Sequence, residues 1–426
     1  MNHRIPTLPR IATALALSAM AACGSAEPGT TSATGDLAGP DVPLQIETED
    51  VYTVGTVSGA DWEMFSRVSR VAFDGAGNLY VYDADARRIT VVDPGGAQLR
   101  TVGSPGDGPG EFRQPMGVAV FDDGTVAAYD LGHQALMVFD PDGEMRESIR
   151  MPMTGLIPGS ALYPHPRGGL VSPDGMSIGM MGPGDEAPAE PTTRPVAYFA
   201  LEEAPPETLY DAWLMPPLEA DEVSVSGGGF QMVTRPMVAF EPEVHLGVFS
   251  DGSMALVDST AYRIRILDAH GAVTGTLDRP IQPREVSESD RDAERQRRLD
   301  ELSGPNAPRG MMVMDGGGGG GPPPDFMKRI MEQQIAGMLF AAEIPVIAGL
   351  AVDRGGRIWV ERTGHEIGAT GPTDLLTRDG AYLGTLGASG VKTPDAFGPD
   401  GLLAYIEHDE MDVPLVIVQR LPAEYR

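Results

Sequence analysis

The sequence predicts an all-β protein built as a six-bladed β-propeller, and three observations support that prediction. The 426 residues include 54 Gly and 38 Pro, a usage that favours many turns and disfavours a helical bundle. Short apolar stretches alternate with a period of two residues between Gly-bearing turns, which is the pattern of β-hairpins. This pattern recurs at intervals close to the length of a four-stranded propeller blade.

The repeat is clearest in segments that align on their turn glycines. They read VAFDGAGNLYVYDADARRITVVDP from Val71, VAVFDDGTVAAYDLGHQALMVFDP from Val118, LGVFSDGSMALVDSTAYRIRILDA from Leu246 and LAVDRGGRIWV from Leu350. The aligned glycines are Gly77, Gly124, Gly169, Gly252, Gly356 and Gly401. Their spacings of 47, 45, 83, 104 and 45 residues include three of blade length and two with insertions. The 83-residue interval is almost two blades long, so a seven-bladed propeller is the alternative.

The linker after the first repeat resembles a known signature. Residues 103–112 read GSPGDGPGEF, and Pro115 follows three residues later, which is similar to the G-x-x-G-x-G-P-G-E-F-x-x-P pattern of NHL-repeat propellers. Residues 403–421 also resemble the last blade of bacterial six-bladed propeller lipoproteins. The resemblance covers most of residues 50–421 and implies six blades. We expect an early strand at Val51–Val57 to complete the last blade and protect its edge.

The first 45 residues predict secretion and a membrane anchor. Residues 1–22 combine two Arg with an apolar stretch too short to span a bilayer, which is typical of a signal peptide. The stretch ends in Met-Ala-Ala before Cys23, the single cysteine, and resembles the lipobox of bacterial lipoproteins, whose cysteine is lipidated. An ordinary secretory signal is the alternative. Residues 23–45 are small, polar and rich in Pro and Gly, so we expect a flexible tether before a propeller at 46–426.

A chain anchored through lipidated Cys23 belongs in the bacterial cell envelope. Gly24 stands where an Asp typically retains such lipoproteins in the inner membrane, so the resemblance implies the outer membrane, facing the periplasm or the surface. The lipid must supply the attachment to the membrane, because an acidic protein is not attracted to an anionic leaflet.

A helical insertion is expected at 284–343, between two late blades. Residues 287–302 begin with serines and acids before turning basic, an order that suits a helix and its dipole. Residues 311–324 (MMVMDGGGGGGPPP) predict a disordered loop. A second helix follows, with an apolar stripe made of Phe326, Ile330, Met331, Ile335, Met338 and Leu339. It is expected either to pack on the propeller or to serve as a mobile lid or a docking helix for a partner, including a membrane partner.

Charge and cysteine content exclude several classes of protein. With 61 Asp and Glu against 31 Lys and Arg, the net charge is −30. No nucleic-acid partner is expected, because phosphate binding needs a basic surface. A single cysteine excludes a disulfide framework, and no CxxC, HExxH or Walker-type motif occurs.

The candidate binding residues lie in loops that follow the second strand of each repeat, around the expected central channel. They are Asp83, Arg87, Asp130, His133, Asp258, Arg263, Glu361 and His365. Four of them are acids at equivalent repeat positions. One interpretation is a ring of carboxylates that holds Ca²⁺ or a cationic ligand. The other is that each acid accepts turn N–H groups in its own blade.

The sequence favours a binding or scaffold module over an enzyme, because repetitive closed sheets form rigid platforms with variable loops. The expected partner is an envelope protein, a peptide or a glycan on the loop face, and no cofactor is required. Some relatives with the NHL-type fold are zinc- or calcium-dependent lyases and lactonases. A metal-dependent hydrolase or lyase at the channel mouth is therefore the alternative, with His133 and His365 as candidate ligands. Whether a metal is bound stays open at this stage.

Overall fold

The computed structural model describes residues 33–151, 155–178, 191–219, 223–227, 230–234, 236–303 and 324–426. Within these ranges the chain forms six blades, each with four antiparallel strands. A fifth, parallel strand extends two of the blades, and four two-stranded sheets lie outside them. Innermost strands of neighbouring sheets contact one another around a central channel. The predicted six-bladed propeller is confirmed.

Three strands precede the first blade: β1 (Ala33–Asp36), β2 (Pro43–Leu44) and β3 (Glu49–Val54). Blade 1 consists of β4 (Val68–Phe73), β5 (Leu79–Asp83), β6 (Arg88–Val92) and β7 (Gln98–Val102). Blade 2 consists of β8 (Pro115–Val120), β9 (Val126–Asp130), β10 (Ala135–Phe139) and β11 (Met145–Arg150). Gly77 and Gly124 close the first turn of these blades with φ of 85° and 87°, values that residues with a side chain rarely adopt.

Blade 3 accounts for the 83-residue interval. Its sheet consists of β13 (Tyr163–His165), β14 (Gly169–Ser172), β16 (Thr193–Ala200) and β17 (Glu207–Trp213). Two further pairs are β12 (Gly155–Ile157) with β15 (Met176–Ile178), and β18 (Val223–Gly227) with β19 (Phe230–Thr234). The first pair is inserted in blade 3, the second lies between blades 3 and 4, and neither is a blade of its own, so the seven-bladed alternative is wrong. The turn is made by Gly168, with φ of 81°, whereas the aligned Gly169 lies in β14.

The helical insertion lies between blades 4 and 5. A short strand, β20 (Val238–Ala239), precedes blade 4, which consists of β21 (His245–Val248), β22 (Met254–Val257), β23 (Arg263–Leu267) and β24 (Val273–Asp278). The insertion contains β25 (Arg284–Glu285), α1 (Glu288–Ser303), α2 (Pro324–Ala336), β26 (Leu339–Phe340) and β27 (Glu343–Ile344). Both predicted helices are present, and most of the predicted Gly-rich loop lies outside the described residues. Ile330, Ile335 and Met338 are buried, so α2 packs on the protein itself.

Blade 5 consists of β28 (Ile347–Val352), β29 (Arg357–Thr363), β30 (Thr370–Thr377) and β31 (Tyr382–Leu386). Blade 6 contains β32 (Ala396–Phe397), β33 (Leu402–His408) and β34 (Pro414–Arg420). Its fourth strand is β3, which pairs antiparallel with β34. The predicted closure is therefore confirmed, with the strand at Glu49–Val54 in place of Val51–Val57. This pairing of the first and last blade segments holds the ring closed.

Residues 33–45 are not the free tether that the sequence predicts. β1 runs parallel to β24 at the outer edge of blade 4, and β2 runs parallel to β31 in blade 5. Between and after these strands, Leu37 and Ile46 are buried in the clusters between blades. The prediction of a flexible tether is wrong from residue 33, because this segment extends two sheets and buries apolar side chains. Residues 1–32 lie outside the described part. We call residues 37–48 the strap.

Apolar side chains fill the spaces between neighbouring blades. Successive residues of a strand point to opposite faces, so each strand serves two interfaces. In β29, Ile358 and Val360 pack with blade 4, whereas Trp359 packs with blade 6. Trp359 is buried, and its Nε1 donates a hydrogen bond to Asp353 Oδ2 at 3.0 Å. This tryptophan therefore packs between blades 5 and 6.

A buried ion network holds the strap against blades 4 and 5. Arg279 is 6% exposed, and its Nη1 donates to the fully buried Asp374 at 2.8 Å. Its Nη2 donates to Asp41 of the strap at 3.0 Å, and Arg362 donates to the same carboxylate at 2.6 Å. Buried charges are stable when they are paired and hydrogen-bonded in this way. The network therefore ties three separate chain segments together.

Replacing Asp374 tests how much this network stabilises the fold. We expect Asp374→Asn to lower the free energy of unfolding by about 3–5 kcal/mol, because it leaves buried Arg279 undercompensated. Asp41→Asn should cost less than about 1 kcal/mol, because the Asp41 side chain is 46% exposed. Urea unfolding monitored by tryptophan fluorescence measures both variants. Equal losses for the two would contradict a role for the buried pair.

Candidate functional site

The loop face is formed by the segments that join successive blades and by the turns between second and third strands. Two of the predicted acids hold these loops in place. Asp83 accepts the backbone N–H groups of Ser66 and Arg67 at 2.8 and 3.0 Å. Asp130 accepts those of Arg113 and Gln114 at 2.8 and 3.1 Å. Both carboxylates are fully buried, so these contacts match the interpretation of turn acceptors.

Asp258 joins two blades. Its carboxylate accepts the backbone N–H of Trp213, at the end of blade 3, at 2.9 Å. It also forms an ion pair with Arg265 of its own blade. Because Asp258 is buried and paired on both oxygens, it is a structural anchor between blades 3 and 4.

Glu361 differs from the other three acids. Its side chain is partly buried, and no hydrogen bond or ion pair to its carboxylate is found among the described residues. Burial raises the pKa of this carboxyl, and nearby Lys392 offsets the rise only in part. A partly desolvated carboxylate without a partner is a feature typical of functional sites.

Arg87 and His133 come together at the boundary of blades 1 and 2. Arg87, with φ of 50°, donates to the carbonyl of Arg113 at 3.3 Å. Both ring nitrogens of His133 are buried without a hydrogen bond, and Nδ1 lies 3.4 Å from Asp130. Arg113 pairs with Asp107, and this hydrogen bond lowers the pKa of Asp107, with smaller contributions from His133 and Arg87. These side chains form one small charged cluster.

The remaining two predicted residues lie apart from it. Arg263 forms a surface ion pair with Asp278 at 2.7 Å, and His365 is exposed, with its carbonyl accepting from Arg284 at 3.4 Å. The eight predicted residues therefore do not converge on one site. Within the described part of the chain, no three His, Cys, Asp or Glu side chains are arranged to hold a metal ion.

The channel mouth contains residues that sequence reasoning missed. The inner strands β4, β8 and β28 each carry an irregular register near their loop-face end, and such bulges redirect side chains. Arg70 extends from blade 1 to blade 3, where it donates to the carbonyl of Leu162 at 2.9 Å and lies 5.4 Å from the Tyr163 ring centroid. Burial lowers the pKa of His245. The contacts of Arg70 join residues far apart in sequence, so no local sequence pattern predicts them.

The opposite end of the channel is crossed by Arg354. Its guanidinium donates to the carbonyl of Phe73 at 3.1 Å and to that of Phe397 at 3.4 Å, and it pairs with Asp122. One side chain thus joins blades 5, 6, 1 and 2.

A groove of about 590 Å³ lies between blades 5 and 6, where the segment that joins these blades passes the strap. Its apolar lining comes from Ile46 of the strap and from Val391, Tyr405 and Ile417. The charged residues that line it are Glu47, Lys392 and Glu407. We call it the blade 5–6 groove. Its volume falls within the range of small-ligand sites, about 300–1,000 Å³.

Acidic groups outnumber the single lysine around this groove. Lys392 Nζ lies 3.4 Å from Glu407, and the two side chains are 54% and 42% exposed. Burial raises the pKa of Asp395, although its carboxylate accepts the N–H of Ile406 at 2.7 Å. Among these residues sequence reasoning identified Glu361 alone. The sequence did contain one indication of this site, because Lys392 is one of only two lysines in the chain.

One sequence pattern also needs a structural explanation. Residues 175–179 read GMSIG, which matches the G-x-S-x-G pattern of hydrolase nucleophiles. Such a serine needs a sharp turn between a strand and a helix. Ser177 instead lies within β15, opposite Leu156 of β12, so this match does not indicate a nucleophile.

Comparison with known families supports the architecture. The model of the family DUF5128, described as a 6-bladed beta-propeller, matches residues 60–170. That range covers blades 1 and 2 and the start of blade 3. A comparison with curated proteins gives no match.

Several solved structures are similar to this chain at low sequence identity. A protein from Bacteroides fragilis NCTC 9343 that is named as exported is 10% identical, with a TM-score of 0.47 and coverage of 90% of this chain and 98% of its own. A DUF4221 member from Bacteroides vulgatus ATCC 8482 is 10% identical, with a TM-score of 0.48 and coverage of 89% and 99%. A gluconolactonase from Xanthomonas campestris is 14% identical, with a TM-score of 0.38 and coverage of 90% and 98%. These likenesses do not indicate a function for this chain.

The raised pKa of Glu361 predicts a pH-dependent effect on stability. A carboxyl with a raised folded-state pKa binds its proton more tightly when folded, so its charged form destabilises the protein at neutral pH. Glu361→Gln should therefore raise the free energy of unfolding at pH 7, by less than about 1 kcal/mol because of partial exposure. The gain should vanish as the pH falls below about 4, the ordinary carboxyl range. Denaturant unfolding at both pH values checks this, with exposed Glu147→Gln as the control. An equal gain at both pH values would contradict it.

Proposed function

We propose that this protein is a lipid-anchored, NHL-type propeller of the bacterial cell envelope that binds a protein, peptide or glycan partner on its loop face. In this proposal Cys23 carries the lipid, and the protein is attached to the outer membrane and faces the periplasm or the surface. No helix within the described residues is long and apolar enough to cross a membrane.

The location of the open groove is the observation that supports a binding role. Residues 389–392, in the loop-face segment that joins blades 5 and 6, line the blade 5–6 groove, whereas Arg354 crosses the channel at the opposite end. The insertion between blades 4 and 5 lies on the same face. Large apolar side chains are also exposed on this face, as at Met64 in a loop and at Trp213, the last residue of β17. Variable loops on a rigid scaffold suit recognition.

The hydrogen bonds and ion pairs of the candidate acids favour a binding role over metal-dependent catalysis. Asp83 and Asp130 are engaged by backbone N–H groups, and Asp258 is engaged by Trp213 and Arg265. A catalytic metal needs convergent ligands and an open coordination position, and these three carboxylates are buried in separate blades. They supply no such set.

Site-specific photo-crosslinking in cells tests the loop-face proposal. A photoreactive amino acid placed at Met64 or Trp213 should yield the same discrete adduct from both positions. The matched control is Glu203, an exposed residue in the turn between β16 and β17 on the opposite face, where the adduct should be absent. Adducts of equal yield from Glu203, or none from any position, would overturn the proposal. Stoichiometric zinc or calcium in the purified protein, with stability lost on chelation, would instead support a hydrolase or lyase.

Substitution of the single cysteine tests the anchor. Cys23→Ser should abolish incorporation of labelled palmitate and move the protein from the membrane fraction to the soluble fraction, because no acyl chain is then attached. The anchor proposal fails if the variant stays in the membrane fraction or keeps the label.

A further inference from the structure

We propose that the blade 5–6 groove binds a Lys or Arg side chain of a partner polypeptide. This inference rests on the proposed function, because it names the partner chemistry recognised on the loop face. The ligand it requires is an aliphatic stem that ends in an ammonium or guanidinium group.

The lining of the groove suits an aliphatic stem. Ile46, Val391 and Ile417 supply apolar surface, and the ring of Tyr405 lies beside them. The Tyr405 hydroxyl donates to the carbonyl of Lys392 at 3.2 Å, so the ring is held in place. Lys and Arg side chains bury their methylene stems along such surfaces and keep the charged end in water.

The charges around the groove suit a cation. Glu47 and Glu407 line it, and Glu407 is engaged by Lys392 at 3.4 Å, a loose contact between exposed groups. Glu361 and Asp395 lie close enough for Lys392 to affect both of their carboxyls. One lysine therefore faces several carboxylates, and a second cation would be attracted to them. Charge complementarity of this kind supplies specificity and speeds association.

The walls of the groove are held in place before any ligand arrives. Thr48 Oγ1 donates to Gln419 Oε1 at 2.9 Å, and Gln419 Nε2 donates to Asp50 at 2.8 Å. The strap that carries Ile46 and Glu47 is tied to blade 5 through Asp41 and Arg362. A preorganised site loses less entropy on binding than one that must form around its ligand.

A short peptide of known sequence tests the proposal with the full chain carrying Cys23→Ser. The probe is acetyl-Ala-Arg-Ala-Lys-Ala amide, measured by titration calorimetry at low ionic strength. Its control replaces Arg and Lys with norleucine, which keeps the stems and removes the charges. We expect the charged peptide to bind at least about tenfold more tightly than the neutral one. Putrescine, a free diamine, should bind more weakly than the peptide.

Paired variants locate the binding site. The double variant Glu47→Gln/Glu407→Gln should weaken peptide binding about tenfold. The single variant Val391→Trp should weaken it by a similar factor, because the larger side chain fills the groove. The control double variant, Glu147→Gln/Glu203→Gln, removes the same amount of negative charge from surfaces outside the groove. It should change the affinity for the peptide less than about twofold. Lys392→Met should strengthen binding several-fold, because it frees the carboxylate of Glu407. Melting temperatures confirm that each variant is folded.

The outcomes separate this inference from the proposed function. Equal weakening by the two charge-removal pairs would mean diffuse attraction to an acidic protein and would overturn the groove assignment. If putrescine binds more tightly than the peptide, the proposal of a polypeptide ligand is wrong and the groove is a site for a free amine. If loop-face crosslinking succeeds while the groove variants bind the peptide unchanged, this inference fails alone. If the groove binds the peptide as expected but no loop-face adduct forms, the proposed function fails alone.

Discussion

The buried ion pair between Arg279 and Asp374 is the interaction on which this half of the propeller depends. It joins the end of blade 4 to the middle of blade 5, and through Asp41 it holds the strap across both. The strap in turn supplies Ile46 and Glu47 to the blade 5–6 groove. The same chain segment therefore contacts the buried charge pair through Asp41 and lines the groove through Ile46 and Glu47.

The acids of the loop face serve two different purposes. Those at the ends of second strands, such as Asp83 and Asp130, are buried and accept backbone N–H groups from the segments that enter their blades. Those near the blade 5–6 groove keep oxygen atoms unpaired or loosely paired, as at Glu361 and Glu407. Hydrogen bonds to a carboxylate offset its desolvation, and the second group lacks enough of them. The fully hydrogen-bonded acids and the loosely paired acids therefore lie in different blades.

Sequence reasoning identified the repeat, the closing strand and both helices, because each rests on a local pattern. It failed for residues 33–45, whose small polar composition resembles a linker. This segment is fixed because Leu37 is buried between blades, Asp41 pairs with Arg279, and its two strands pair with β24 and β31. All of these contacts are with residues distant in sequence. The expectation of one converging site failed for a related reason. Equivalent repeat positions are separated by the sixfold arrangement of the blades, so acids that align in sequence lie in separate blades.

The sequence by itself determined the hairpin alternation and most of the turn glycines, since these depend on residues within a few positions of one another. The structure decided between six and seven blades, because that choice depends on how the strands of the 83-residue interval pair. The tertiary structure alone decided which charges are paired. Arg354 contacts three blades besides its own, and Lys392 meets carboxylates from other segments only where blades 5 and 6 pack together. Pairing depends on distance in space and on burial. Both are set by closure of the ring, which brings residues from opposite ends of the chain into contact.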